Sequence, residues 1–188
     1  MSQQQRFRPL TKQELQGAIN NPDRNTLYGP IGTWDVSQIT DMSHMFRNDS
    51  SFNENINDWD TSNVTNMSHM FGNARAFNQP LDRWNTSRVV DTTAMFRNCF
   101  AFNQNIENWD VRNVRQMAHM FDGAVRFNQP LNQWDPQSCR TMAHMFDDAM
   151  SFNQPLGWVV MPPIHTITIV ILEDMMEIVV ALTKCKKG

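Results

Sequence analysis

WDTSNVTNMSHMFGNARAFNQPLDR, residues 59–83, is one unit of a pattern that runs through most of this 188-residue chain. Tryptophan returns every 25 residues without a slip, and two phenylalanines keep the same step. A fixed period of this length predicts a tandem repeat protein, in which each unit buries its apolar face against its neighbours. The columns are Trp34, Trp59, Trp84, Trp109 and Trp134; Phe46, Phe71, Phe96, Phe121 and Phe146; and Phe52, Phe77, Phe102, Phe127 and Phe152.

Spacing within the unit predicts its secondary structure. Met67, Met70, Phe71 and Ala74 lie at i, i+3, i+4 and i+7, which is one face of a short helix. The FNQPL segment that follows is extended in character, because its proline disfavours helix. The predicted fold class is therefore an α/β solenoid of about five strand-plus-helix coils, stacked about 5 Å apart over a shared core.

These columns resemble the bacterial surface protein repeat family, whose mycoplasma-lipoprotein-type repeats carry F-N…I…W-D-x-S-x-V-x-x-M-x-x-M-F. The match covers residues 27–156 and weakens in the fifth repeat, where DPQSC replaces D-x-S-x-V. The resemblance implies a right-handed, gently curved solenoid related to leucine-rich repeats. Members occur in surface lipoproteins and in proteins of protists, algae and large viruses, with interaction or adhesion roles. No catalytic residues come with the family.

The flanks differ from the repeats and divide the chain into three parts. Residues 1–33 form a predicted helical cap and lead-in, residues 34–156 the five repeats, and residues 157–188 a predicted C-terminal cap. Both flanks are expected to cover the apolar ends of the stack, as terminal repeats do in other repeat proteins.

The N-terminal flank carries a helix-start signal. Thr11 and Glu14 have the spacing of a capping box, with Leu10 and Leu15 placed as a hydrophobic staple. A helix of about ten residues is predicted from this point.

The C-terminal flank has no relation to the repeat. Residues 164–172 predict a strand, and one apolar helical face follows from residue 174. Prolines and acids interrupt this stretch well before the roughly 18 to 20 apolar residues of a membrane span. A strand-helix cap is the preferred interpretation; a docking helix for a partner or membrane surface, and a degenerate end, stay open.

Composition narrows the partners and the compartment. The net charge is −3, so no overall basic field draws the chain to nucleic acid or to an anionic membrane. The N-terminal segment lacks the apolar run of a signal peptide. The three cysteines are an odd number and form no CxxC pair, which is typical of reduced thiols. These features lead us to expect a cytoplasmic location with another protein as partner, and the family resemblance adds a place within a viral particle.

Two columns could hold metal ions. Histidines one coil apart could share a transition metal, but Ala94 interrupts that column and each His follows an inward Met by two residues, which favours a flanking surface. Stacked aspartates could bind calcium, but Asn85 shows that a side-chain oxygen recurs rather than a charge, which favours turn capping. Neither a metal nor a cofactor is predicted. The columns are His44, His69, His119 and His144; and Asp35, Asp60, Asn85, Asp110 and Asp135.

A third polar column, headed by Asn53 and continued by Asn78, directly follows an inward Phe. It predicts a buried amide ladder that satisfies backbone groups where the chain turns.

Catalysis is not predicted. Cys99 stands in a column of alanines and Cys139 in a column of valines and isoleucine, so both read as small buried apolar residues. The chain has no GxGxxG, P-loop, HExxH or GxSxG motif.

One column departs from the pattern, and we call it the Phe100 column: Ser50, Arg75, Phe100, Val125 and Met150. If its last three members face solvent, they form an apolar stripe typical of a contact surface, and Arg112 and Arg126 are candidates for its rim. Two alternatives stay open: the C-terminal segment covers the stripe, and the arginines are scattered solvated charge. The predicted function is a non-enzymatic scaffold for protein interaction or assembly, such as an accessory component of a viral particle. Self-association through the ends is also expected. The alternative is a small-ligand or metal-binding protein that uses the His or Asp columns.

Overall fold

The computed structural model describes residues 6–158. Helices α1 (Lys12–Ile19) and α2 (Arg24–Tyr28) and a 3-10 turn (Ile31–Thr33) all precede the first repeat. From Trp34 the chain forms five 25-residue coils, each counted here from its tryptophan and built of turns. No helix or strand occurs between residues 34 and 158. The predicted α/β solenoid, with strand-plus-helix coils like those of leucine-rich repeats, is wrong.

The segment predicted as helix is a run of overlapping turns. In coil two, alternate N–H groups donate to the carbonyl three residues earlier, at 2.8–3.2 Å. The N–H groups between them cross to carbonyls 24 residues ahead, in the next coil, at 2.7–3.0 Å. An α-helix would direct all of them four residues back. About half of the N–H groups in this segment thus bond within the coil, and the others bond to the next coil. The turn donors are Met70, Gly72 and Ala74, and the crossing donors are Met67, His69, Phe71 and Asn73.

Left-handed residues keep these turns from continuing as a helix. Two residues in each coil have φ between 52° and 69°. A right-handed helix cannot pass through such a residue, because its carbonyl and N–H point away from the helical ladder. Asn, His and Gly tolerate this conformation better than other residues, and they fill most of the positions. The residues are His44, Asn48, His69, Asn73, Ala94, Asn98, His119, Gly123, His144 and Asp148.

Extended pairing between coils is limited to single residues. One parallel bridge links each coil to the next, and the FNQPL segments contribute none. The predicted stack of parallel strands is therefore wrong, although successive coils are in register. The bridged residues are Asp41, Asn66, Asp91, Gln116 and Thr141.

The core is a set of aromatic and methionine columns. All five column tryptophans are at most 4 % exposed, as predicted. From coil two onward each indole Nε1 donates to a carbonyl 28 residues earlier, at 2.8–3.1 Å, so each ring is bonded to backbone more than one full repeat earlier in the chain. Phe46 and its equivalents stack with ring centroids 5.6–5.7 Å apart. Each fully buried ring contributes about 1.5–3 kcal/mol.

Helix α1 covers coil one. Thr11 Oγ1 accepts from the Glu14 N–H at 3.1 Å, which confirms the capping signal, but Glu14 Oε2 accepts from the Leu10 N–H rather than from that of Thr11. The predicted staple is wrong, since Leu10 is 63 % exposed while Leu15 is buried.

The two ends of the described stack are chemically unlike. At the coil-one end, where carbonyls face outward, Gln16 Nε2 of α1 donates to the Met45 carbonyl at 3.0 Å. At the coil-five end, the N–H groups of Met142, Phe146 and Asp148 have no partner within residues 6–158. The predicted C-terminal cap, apart from its first two residues, lies outside the described residues.

Candidate functional site

The Phe100 column forms part of the surface. Phe100 is 38 % exposed and Met150 77 % exposed, whereas Val125 is half-buried. The guanidinium carbon of Arg75 lies 5.2 Å from the centre of the Phe100 ring, which is a cation–π contact. The sequence placed Arg75 in this column but did not single it out as a binding residue. The one feature of the sequence that points to Arg75 is its position, 25 residues before Phe100 in the same column.

Backbone hydrogen bonds hold the column in line. The N–H of Ala101, next to Phe100, donates to the Arg75 carbonyl at 3.1 Å. The N–H of Ser151, next to Met150, donates to the Val125 carbonyl at 3.2 Å. These bonds tie the column between coils two and three and between coils four and five.

The two arginines predicted for the rim lie in different places. Arg126 is exposed and directly follows Val125 in the chain. Arg112 lies at the fourth position of its coil, whereas Phe100 lies at the seventeenth position of coil three. Arg112 is bound to Asp110 through Nε at 3.0 Å and Nη2 at 2.7 Å, and these hydrogen bonds lower the pKa of Asp110. The structure thus places Arg126 beside the column and ties Arg112 to its own turn.

The histidines form two stacked pairs separated by Ala94. The rings of His44 and His69 stack with centroids 4.8 Å apart, as do those of His119 and His144. Burial lowers the pKa of His44 and of His69, and the positive charge of Arg47 lowers both further. Protonation of the first pair is therefore opposed by its surroundings.

Neighbouring side chains distinguish the two pairs. His44 Nδ1 lies 3.3 Å from Arg47 Nη1, whereas His119 Nδ1 lies 2.9 Å from Asp122 Oδ2. Within residues 6–158 no three His, Cys, Asp or Glu side chains lie close enough together to hold a metal ion.

The aspartate column caps turns in coils one to four. In each, the side-chain oxygen accepts the N–H two residues on, at 3.0–3.1 Å, and Asn85 does this as well as the aspartates. The turn-capping interpretation is confirmed there. The asparagine ladder is also present, since each Oδ1 accepts the N–H of the next asparagine at 2.9 Å. Its members are exposed or half-buried, so the predicted burial is wrong: Asn53, Asn78, Asn103, Asn128 and Asn153.

The described cysteines are core residues, as predicted. Burial raises the pKa of the Cys99 thiol well above its usual range and that of Cys139 to about 11. The Cys99 thiol donates to the Phe71 carbonyl at 2.8 Å, in the preceding coil. Both thiols are therefore protonated near neutral pH and are poor nucleophiles.

No helix within residues 6–158 has the length and apolar character needed to cross a bilayer.

Comparison with known proteins gives a family without an assigned activity. A family model described as "Mycoplasma protein of unknown function, DUF285" matches residues 13–112 and again residues 81–173. The two overlapping matches agree with a tandem repeat. No curated protein and no solved structure matches the chain. Because the matched residues make up most of its length, the chain belongs to this Mycoplasma repeat family of unknown function.

Proposed function

We propose that the chain is a non-enzymatic repeat scaffold that binds another protein through the Phe100 column. One observation carries the proposal. Within residues 6–158 four large apolar side chains are exposed, and two of them, Phe100 and Met150, stand in this one column. In a protein whose Trp, Phe and Met columns are almost all buried, this repeated exposure supports a contact surface.

The chemistry of the column supports a protein partner. Aromatic residues, Met and Arg are enriched at protein interfaces, and the column combines Arg75, Phe100 and Met150. Met150 is flexible and polarisable, so it adapts to an irregular partner surface. The Arg75 guanidinium already packs on Phe100, which leaves less side-chain entropy to lose on binding.

Rigidity is a second support. Phe100 directly follows Cys99, which is fully buried, and Met150 directly follows Ala149, which is 4 % exposed. A surface anchored in this way contacts a partner without reordering its backbone.

The test is a double variant, Phe100→Ser with Met150→Ser, since Ser50 occupies the same column in coil one. The matched control is Leu27→Ser, which removes a side chain that is 59 % exposed outside the column. Affinity capture from the native source is compared by quantitative mass spectrometry, and sedimentation velocity measures self-association.

A protein retained by the wild type and the control but lost from the double variant supports the proposal. Loss of a wild-type dimer in the double variant alone identifies a second copy as the partner. Identical binding and mass for all three proteins contradicts the proposal. Melting temperatures exclude unfolding as the cause of any loss.

A further inference from the structure

Coil two lacks a side chain where every other coil carries a charge. The third residue after the left-handed His or Ala is Arg47, Arg97, Asp122 or Asp147 in the other coils, but Gly72 in coil two. The missing side chain leaves a cavity of about 110 Å³ between two arginines. We call it the Gly72 notch, and its lining is Arg47, His69, Gly72, Asn73, Arg97 and Asn98.

Positive charge flanks the notch on two sides. Arg47 and Arg97 belong to coils one and three, so about 10 Å of stack separates their backbones. Arg47 contacts the ring nitrogen of His44 and has no carboxylate partner among the described residues. Arg97 Nε lies 3.1 Å from Asp122 Oδ2. The residues that line the notch thus include two arginines and no acidic side chain, and only one of these arginines has a carboxylate partner among the described residues.

Amide donors lie at the same place. Asn73 Nδ2 donates to Asn48 Oδ1 at 2.7 Å, and Asn98 Nδ2 donates to Asn73 Oδ1 at 2.9 Å. These bonds orient both amides, and each NH₂ group has a second N–H to offer. The ring nitrogens of His69 make no hydrogen bond to any residue between 6 and 158. A ligand in the notch would therefore meet several hydrogen-bond donors.

The size of the notch selects a small ligand. Pockets for drug-sized molecules span about 300–1,000 Å³, and one water occupies about 30 Å³ in the liquid. A cavity of about 110 Å³ thus holds a group of a few heavy atoms. We propose that the Gly72 notch binds a phosphate group, held between the guanidinium groups of Arg47 and Arg97, whose planar donor sets match phosphate oxygens.

The histidine gives this site a spectroscopic reporter. The charged groups that act on His69 are His44, Arg47 and Arg97, which lower its pKa after the larger effect of burial, and Asp91, which raises it. A bound dianion offsets the cations, so phosphate raises the pKa of His69.

The experiment is a titration of the full chain with inorganic phosphate, followed by NMR of the Gly72 amide and the His69 ring. Potassium chloride at matched ionic strength is the reference. Saturable shifts at both groups are expected, together with the rise in the His69 pKa. A second arm compares a phosphothreonine peptide with its unphosphorylated form. Tighter binding of the phosphopeptide than of inorganic phosphate assigns the group to a modified protein, and equal binding assigns it to the free ion.

Three variants make the test specific. Gly72→Asp introduces the residue that coil four carries as Asp122, whose carboxylate lies beside His119. It is compatible with the fold, because a Cβ at Gly72 meets nothing closer than 3.4 Å. We expect it to abolish binding at an unchanged melting temperature. Arg47→Gln is expected to weaken binding about tenfold or more, since one charge-assisted contact is lost. Arg112→Gln, at an exposed arginine of coil four that does not line the notch, is the control.

Absence of saturable shifts in the wild type overturns the proposal. So does binding by Gly72→Asp that equals the wild type, or an effect of Arg112→Gln as large as that of Arg47→Gln. The last outcome would show that phosphate responds to overall charge and not to the notch.

Discussion

Replacing Gly123 by alanine tests whether the left-handed positions stabilise the coil. Gly123 has φ of 69°, and it occupies the column that asparagine fills at Asn73 and Asn98. A Cβ built on it would lie 2.2 Å from Asn98 Oδ1, far inside van der Waals contact. The variant therefore combines an unfavourable backbone conformation with displacement of the Asn98 amide.

Both effects can be assigned a magnitude. A left-handed conformation costs a residue with a Cβ about 1–2 kcal/mol relative to glycine. Moving the Asn98 amide breaks its 2.9 Å bond to Asn73 Oδ1, which contributes about 1 kcal/mol. We expect the free energy of unfolding to fall by about 2–3 kcal/mol and the melting temperature by about 4–12 °C.

Gly17→Ala is the matched control. Gly17 lies within α1, and a Cβ there has no neighbour within 4 Å. The same chemical change should raise stability by up to about 1 kcal/mol, because alanine is the better helix former.

Urea unfolding followed by tryptophan fluorescence measures these differences. In an Asn98→Gly background the side-chain clash is absent, so the cost of Gly123→Ala should fall by about 1 kcal/mol. A Gly123→Ala variant as stable as the wild type would refute the assigned role of the left-handed column.

Three further changes test the core, the thiols and the C-terminal flank. Phe96→Ala, which removes a fully buried ring stacked between two coils, should lower the free energy of unfolding by about 3–5 kcal/mol in urea titration. In a Cys185→Ser background, Cys99 and Cys139 should resist a thiol reagent at pH 8, because burial raises the pKa of both thiols. Cys139 becomes mostly thiolate only above pH 11. Rapid labelling of the folded protein at pH 8 would contradict the burial of these cysteines. Removal of residues 157–188 should lower the melting temperature and raise self-association in sedimentation velocity. The reason is that Trp158 no longer packs on the last coil, and the unpaired N–H groups of coil five become open to another chain. A truncated protein that stays monomeric and melts at the same temperature would argue against a cap.

Register was predictable because every coil repeats the same contacts. A buried Trp59 requires an equivalent cavity at Trp84, and both rings donate from Nε1 to a carbonyl 28 residues earlier in the chain. A single insertion would shift all later side chains off the shared core. The unbroken period of 25 therefore predicted the columns that the structure contains.

The secondary-structure prediction was wrong because a helix and a run of turns can place apolar residues at the same intervals. Met67, Met70 and Phe71 face the core whether the segment is helical or a run of turns. The distinguishing signal lies in residues that accept positive φ, such as His69 and Asn73. Their columns contain mainly His, Asn, Gly and Asp, residues that tolerate the left-handed region unusually well. Read in this way, the polar columns would have indicated turns.

The candidate sites were only partly visible in the sequence. The apolar stretch of the Phe100 column was predicted from its departure from the pattern, but the half-burial of Val125 depends on local packing that no column reveals. The charge of Arg112 alone predicts a place on the rim, whereas its hydrogen bonds to Asp110, two residues away, hold it at its own turn. Gly72 differs from its column in the sequence as well, since it is the one uncharged residue there.

The crossing hydrogen bonds also give the chain a direction during synthesis. Met42, Phe46 and Asn48 donate to carbonyls of coil two, which leaves the ribosome later than coil one. At about 5–20 residues per second, a 25-residue coil emerges in roughly one to five seconds. Each coil must therefore wait for its successor before its turn segment is fully hydrogen-bonded, while α1, already complete, holds the first coil through Gln16. The nascent protein is expected to acquire its structure one coil behind its own elongation.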